Sequence, residues 1–198
     1  MPSRPYAEYA QRNADPILEV LRQELRNCRD VLEIGSGTGQ HAVRFAAELD
    51  HLRWQTSDLA ENHEGIRTWI DEADLPNVDA PLVLDVATAA LPPASYDAVF
   101  SSNTAHIMSF ESVIAMFALV GSVIRPEGVF CLYGPFRQHG TFNTASNANF
   151  DADLRRRDPV MGIRDLEALD DLGVEQELRR TGLYAVPSNN MVAVWQKK

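Results

Sequence analysis

The sequence predicts an α/β fold, a mostly parallel sheet wound on both faces by helices and finished by a carboxy-terminal antiparallel hairpin. Three observations predict it. Short apolar runs alternate with stretches whose apolar residues recur at helical spacing, the order that builds parallel strands joined by helices. A glycine-rich corner, Val31-Leu32-Glu33-Ile34-Gly35-Ser36-Gly37-Thr38-Gly39-Gln40-His41, separates the first such strand from the helix after it. Near the end, apolar runs at 184–186 and 191–195 are joined only by Pro187-Ser188-Asn189-Asn190. So short a link joins antiparallel strands, since a parallel crossover needs about a dozen residues or more.

In chain order, Asp15-Pro16 reads as a helix start, with Ile17, Leu18, Leu21 and Leu25 as its apolar stripe. Strand one is 31–34, and the helix at 40–49 carries Ala42, Phe45, Ala46 and Leu49 on one face. Strand two, about 52–57, leads to Ser57-Asp58, and a helix over 61–73 buries Ile66, Trp69 and Ile70. Leu82-Val83-Leu84 forms a third strand before Asp85, and 96–101 a fourth after the Pro92-Pro93 turn. A helix at 110–124 stops at Arg125-Pro126-Glu127-Gly128, which launches strand five at 129–133. A late helix through Leu166, Leu169, Leu172 and Leu178 closes at Gly182. The stretch 134–164 breaks the alternation. It is long, carries Phe136, Phe142 and Phe150, and leaves the ligand-binding end of strand five, so it reads as a lid over a pocket.

With 198 residues and no repeat, the chain is expected to form one domain, 1–198. A formal charge of −10 opposes a nucleic-acid partner, whose phosphates are held by clustered Lys and Arg. The one basic run, Arg155-Arg156-Arg157, sits among Asp151, Asp153 and Asp158 and reads as a solvated helix face, or else as a clamp for an anion. No run reaches about 18 apolar residues, and 1–9 lacks the apolar stretch of a leader. Cys28 and Cys131 read as reduced core thiols. A cytoplasmic protein without a membrane segment is expected, and the histidines show no metal-ligand spacing.

The glycine corner carries the functional signal. A dinucleotide loop, G-x-G-x-x-G, would need its third glycine at position 40, which is Gln40. What stands is E-x-G-x-G-x-G. That form resembles the first motif of class I S-adenosylmethionine-dependent methyltransferases. Asp58 ends strand two, Asp85 ends strand three, and Asn103-Thr104-Ala105-His106-Ile107 follows strand four, all in register with that family's motifs. Further segments resemble a family of uncharacterised methyltransferase-like proteins with bacterial and animal members. These are Gln55-Thr56-Ser57-Asp58, Tyr133-Gly134-Pro135-Phe136, Ser146-Asn147-Ala148-Asn149-Phe150-Asp151 and Ser188-Asn189-Asn190. Thr56 stands where a proline is expected.

The resemblance spans nearly the whole chain and implies a Rossmann-like sheet of seven strands with S-adenosyl-L-methionine as cofactor. It implies that Gly35, Gly37 and Gly39 carry the amino-acid end of the cofactor and that Glu33 lies beneath it. It further implies that Asp58 accepts from the ribose hydroxyls, Asp85 from the adenine amino group, and that Asn103 serves the methionine part. Each acid has a plainer reading as a group at a helix N-terminus or strand end. His106 is the candidate general base, or else a partly buried ring bonded to backbone; His139 on the lid stands in reserve. His41, which follows the glycine loop, reads as a solvent-exposed residue of the first helical turn, or else as a neighbour of the cofactor. Methyl transfer to a small molecule is the leading expectation. The alternatives are a cofactor-binding or interaction protein without turnover, a methyltransferase acting on proteins, and a nicotinamide oxidoreductase. Gln40 and the terminal hairpin disfavour the last.

Overall fold

A computed structural model describes residues 4–198. Its main sheet has seven strands: β1 (Asp30–Ile34), β2 (Arg53–Asp58), β3 (Val78–Val83), β4 (Tyr96–Ser102), β5 (Ile124–Gly134), β9 (Leu178–Val186) and β10 (Asn190–Lys197). Their order is β3-β2-β1-β4-β5-β10-β9, and β10 alone runs against both of its neighbours. Strand alternation divides the core in two. Val31, Trp54, Phe100 and Cys131 face α1 (Glu8–Glu24) and α2 (Gln40–Glu48). Leu32, Ile34, Val99, Phe130 and Leu132 face α4 (Phe110–Val123) and α6 (Leu166–Glu175). Strands β1 and β4 are parallel, but the order in which strands are added reverses between them, and ligands of such sheets bind above that switch point.

Several boundaries differ from the sequence reading. Helix α1 begins at Glu8, with Pro16 inside it. Ala10 and Ala14 extend the buried stripe by two positions, and the carbonyl that Pro16 cannot bond belongs to Arg12, on the exposed face. Strand β3 starts at Val78 and admits Pro81 because it is an edge strand whose register slips between Gln55 and Ser57 of β2. Residues 61–73 split into a short 3-10 turn, Ala60–Asn62, and α3 (His63–Ala73). Leu178 and Gly182 lie in β9 rather than in the late helix. Glu177, with φ of 58°, turns the chain out of α6 first. Both cysteines are free and buried.

The segment 134–164 is built rather than irregular. It comprises β6 (Phe136–Gln138), β7 (Thr141–Phe142) and α5 (Ala145–Arg157), and β8 (Arg164–Asp165) joins β6 and β7 in a three-stranded sheet. Thr144 caps α5 by accepting from the Asn147 N–H. The unit docks on the ends of the main strands. Gly162 N donates to His106 O at 2.9 Å, Arg164 Nε to Ala105 O at 2.9 Å, and Asn147 Nδ2 to Asn189 O at 3.1 Å. Arg155 pairs with Asp151 at 2.8 Å and Arg156 with Asp153, so these two arginines are spent on their own helix face.

Candidate active site

At the carboxy ends of β1 and β4 the chain opens a cleft of about 430 Å³. Its floor is the glycine loop. As β1 ends, its ladder is continued by side chains: Ser57 Oγ donates to Glu33 O at 2.6 Å and Ser101 Oγ to Ile34 O at 2.7 Å. The Gly35 and Ser36 N–H groups both turn to Ser57 O. Gly35, with φ of 73°, lies so close to the β4 loop that a Cβ would stand 2.7 Å from Thr104 Cγ2. Gly37 lines the cleft at φ of 58°, and nothing in the protein stands where its Cβ would be. The loop is thus pressed against the protein at one glycine and bare toward the cleft at the next.

The acids fall into three environments. Glu33 is buried beneath the loop, its Oε2 accepting from Ser36 Oγ at 2.9 Å and Trp54 Nε1 at 3.1 Å. Burial pushes its carboxyl up to about 7, against those two donors and with the Asp58 charge adding to the rise. Asp58 fastens the loop to β2, with Oδ2 accepting from Gly37 N at 2.7 Å. Its Oδ1 takes Leu59 N at 2.7 Å and Asn62 Nδ2 at 2.8 Å. Asp85, two residues past β3, is exposed; among the described residues its carboxylate accepts only from Ala87 N, through Oδ1 at 2.9 Å. All three line the cleft, and no Lys or Arg joins them on its wall.

Asn103 also lines the cleft, in the left-handed conformation at φ of 59°, its N–H donating to Tyr133 O at 2.9 Å. The candidates Glu33, Gly35, Gly37, Asp58, Asp85 and Asn103 therefore meet on one surface. Gly39, at φ of 90°, sits just off it as the residue that opens α2. His106 lies behind this wall. Its ring is buried, edge-on to Phe150 of α5 at 5.5 Å between centroids, and a Cβ on Gly134 would stand 3.6 Å from its Nδ1. Burial, with the nearby Arg164 charge, lowers its pKa to about 4 and keeps the ring neutral.

Two features escape sequence reasoning. His41 is not solvent-exposed: it is buried, stacks on Phe45 at 5.0 Å, turns Nε2 to Ala10 O at 3.0 Å and borders the cleft, where its alternative reading would put it. The amino-terminal segment supplies Tyr9 and Ala10 to the cleft wall. They belong to the first turn of α1, placed there by the buried Ala10 and by long-range bonds to Gln40 and His41 that no local periodicity announces. No cluster suited to a metal ion occurs among the described residues, and no helix among them is long and apolar enough to cross a membrane.

A seven-stranded sheet in this order, with one reversed strand and a glycine loop at its switch point, defines the class I methyltransferase fold. Solved structures agree. An O-methyltransferase family protein from Burkholderia thailandensis matches with a TM-score of 0.83 at 14% identity, over 96% of this chain and 58% of its own. An O-methyltransferase family 2 protein from Planctomyces limnophilus, in complex with apigenin, gives 0.83 at 14%, over 96% and 59%. The YcgJ protein from Bacillus subtilis gives 0.73 at 15%, over 95% and 99%. The chain thus spans little more than half the length of the first two, and identities this low carry the fold alone. By sequence, the chain belongs to the family described as "Protein of unknown function (DUF938)", whose model matches residues 4–197.

Proposed function

We propose that the protein transfers a methyl group from S-adenosylmethionine to a small-molecule acceptor. The observation that carries this reading is the cleft wall: a bare glycine loop with Asp58 and Asp85 beside it and the Glu33 carboxyl beneath, without one Lys or Arg. Such a wall opposes a pyrophosphate, which needs donors or cations around its charge. It suits an adenosine cofactor whose other end bears a sulfonium and an ammonium. In this reading Glu33 and the glycine loop hold the amino-acid end, with Asn103 beside it. Asp58 serves the ribose through its remaining lone pairs, and the free oxygen of Asp85 accepts from the adenine amino group. When bound, the cofactor supplies an electrophilic methyl group on positively charged sulfur.

The residues' own work is then positioning and exclusion of water, which can account for most of the rate of such a displacement. The unit 134–164 is the proposed lid, and with the rest of the chain it forms the single proposed domain. His106 is the proposed base for an acceptor that must lose a proton. Burial keeps the ring neutral but weakens it as a base, and withdrawal of Phe150 with α5 would expose it and lift that penalty. The small-molecule part of the proposal draws on the apigenin bound by the Planctomyces protein.

The test is an acceptor screen. Purified protein, S-adenosylmethionine and fractionated small metabolites are incubated, and adenosylhomocysteine release is followed. Release tied to one fraction, and reduced about a hundredfold by His106→Ala at unchanged cofactor affinity, supports transfer with a base. Cofactor binding without release from any fraction favours a protein that binds and does not turn over. Release that His106→Ala leaves unchanged removes the base.

A further inference from the structure

Position 40, where a dinucleotide loop would carry glycine, is occupied by a side chain with a specific task. Gln40 is the first residue of α2, and its carboxamide clasps the backbone of Ala7 from both sides. Ala7 N donates to Gln40 Oε1 at 2.6 Å, and Gln40 Nε2 donates to Ala7 O at 3.3 Å. Around this clasp the amino-terminal strap is fastened at two more points. Trp69 Nε1 donates to Pro5 O at 2.8 Å, and Pro5 packs on Gly65 so closely that a Cβ there would stand 2.6 Å from its Cγ. Further along, the Ala10 carbonyl faces His41 Nε2 at 3.0 Å. The strap lies across the start of α2, directly beside the glycine loop, and brings Tyr9 onto the wall of the cleft.

Tyr9 is 55% exposed although Ala10 and His41, its neighbours on that wall, are buried. A large aromatic side chain left open on a cleft wall is a surface that a ligand covers. Its phenol also offers a hydrogen-bond donor on a wall that has no cation for the carboxylate at the amino-acid end of the cofactor. The fastening is light. Ahead of α1 the strap is held by these hydrogen bonds, by Pro5 against Gly65 and by Arg4, which pairs with Glu72 and lies over the Trp69 ring. Tyr9 and Ala10 follow in the first turn of α1. Because the Arg4 fastenings and Tyr6 are exposed, this end belongs to the part of the molecule that opens most readily. Gln40 is tied to the glycine loop as well, since Thr38 Oγ1 donates to its Oε1 at 3.1 Å. A ligand that settles the loop therefore acts on the clasp.

We propose that Tyr9 contacts the cofactor and that Gln40 positions it, so that the amino-terminal strap unclasps for the cofactor to enter and leave. This rests on the reading of the cleft as a site for S-adenosylmethionine. The experiment uses the full chain with adenosylhomocysteine as probe, measuring affinity by calorimetry, dissociation by stopped flow and hydrogen exchange over residues 5–12. Tyr9→Ala should weaken binding about tenfold. Gln40→Ala should speed dissociation at least about fivefold and abolish the ligand-induced protection of 5–12, while the melting temperature of the free protein moves little. Gln40→Glu, which keeps the acceptor for Ala7 N–H and loses the donor, should fall between. If wild type binds the probe and both alanine variants bind and release it as wild type does, the strap has no part in the site and the proposal is overturned. If wild type itself does not bind, the cofactor reading fails first and takes the proposal with it.

Discussion

Glu33 sits beneath the glycine loop with a hydroxyl and an indole N–H as its donors, and its pKa of about 7 has a definite sign. A carboxyl whose folded pKa lies above its unfolded value of 4.5 favours the folded state below pH 4.5 and loses that advantage as pH rises through 7. Glu33→Gln can keep both hydrogen bonds and cannot ionise. It should therefore exceed wild type in stability at pH 8, by on the order of 3 kcal/mol, with the gap closing toward pH 4.5. Chemical denaturation at several pH values measures this. A cationic ligand draws Glu33 toward its charged form, so cofactor affinity should rise between pH 6 and 8 in wild type and flatten in Glu33→Gln. The two aspartates should part company. Asp85 is exposed and lightly bonded, so Asp85→Ala should cut cofactor affinity about ten- to a hundredfold without lowering the melting temperature. Asp58 also holds Gly37, Leu59 and Asn62, so Asp58→Ala should lower both. Calorimetry paired with thermal melts separates these outcomes.

Among the elements, those with a full run of their own period were legible. Strands β1, β4 and β10 show it as apolar runs buried on both faces of the sheet, and helices α2 and α4 as apolar faces packed against it. The short turn at Pro187 to Asn189 predicted the antiparallel pair; Ser188 and Asn189 take left-handed backbone there. Where tertiary contacts decide, the sequence misled. Pro16 looked like a boundary and is an interior residue, and Leu178 kept the leucine spacing of α6 while belonging to β9. The stretch 134–164 hid a helix and three strands because the strands hold only two or three residues each. Alpha helix α5 buries just Asn147, Asp151 and Leu154, two of them polar. A unit whose helix buries so little apolar surface, with Phe136, Leu154 and Ile163 as its fully buried apolar anchors, should open more readily than the main sheet. Hydrogen exchange over 136–164 is expected to be faster than over β1, β4 and β5, and to slow when adenosylhomocysteine and an acceptor are added. Protection equal to that of the sheet in the free protein would make this a fixed subdomain rather than a lid.

At the scale of the whole molecule, the fold directs the candidate residues to one place. Glu33, Asp58, Asp85 and Asn103 are spread over about 70 residues of sequence, yet parallel strands deliver each at the same edge of the sheet, and the reversal of strand order between β1 and β4 opens the space they share. This is why the cofactor wall could be read from four short motifs. Tyr9 and Gln40 could not, since nothing local marks a strap that crosses from one end of the chain to the start of α2. The charge of the wall is the central claim, because it separates a cationic sulfonium cofactor from a pyrophosphate one. Calorimetric titration of the intact protein with S-adenosylmethionine, adenosylhomocysteine, NAD and NADP tests it most directly. Saturable binding of the first two, with none of the dinucleotides, is the predicted result; binding of NAD or NADP with no response to S-adenosylmethionine would contradict it.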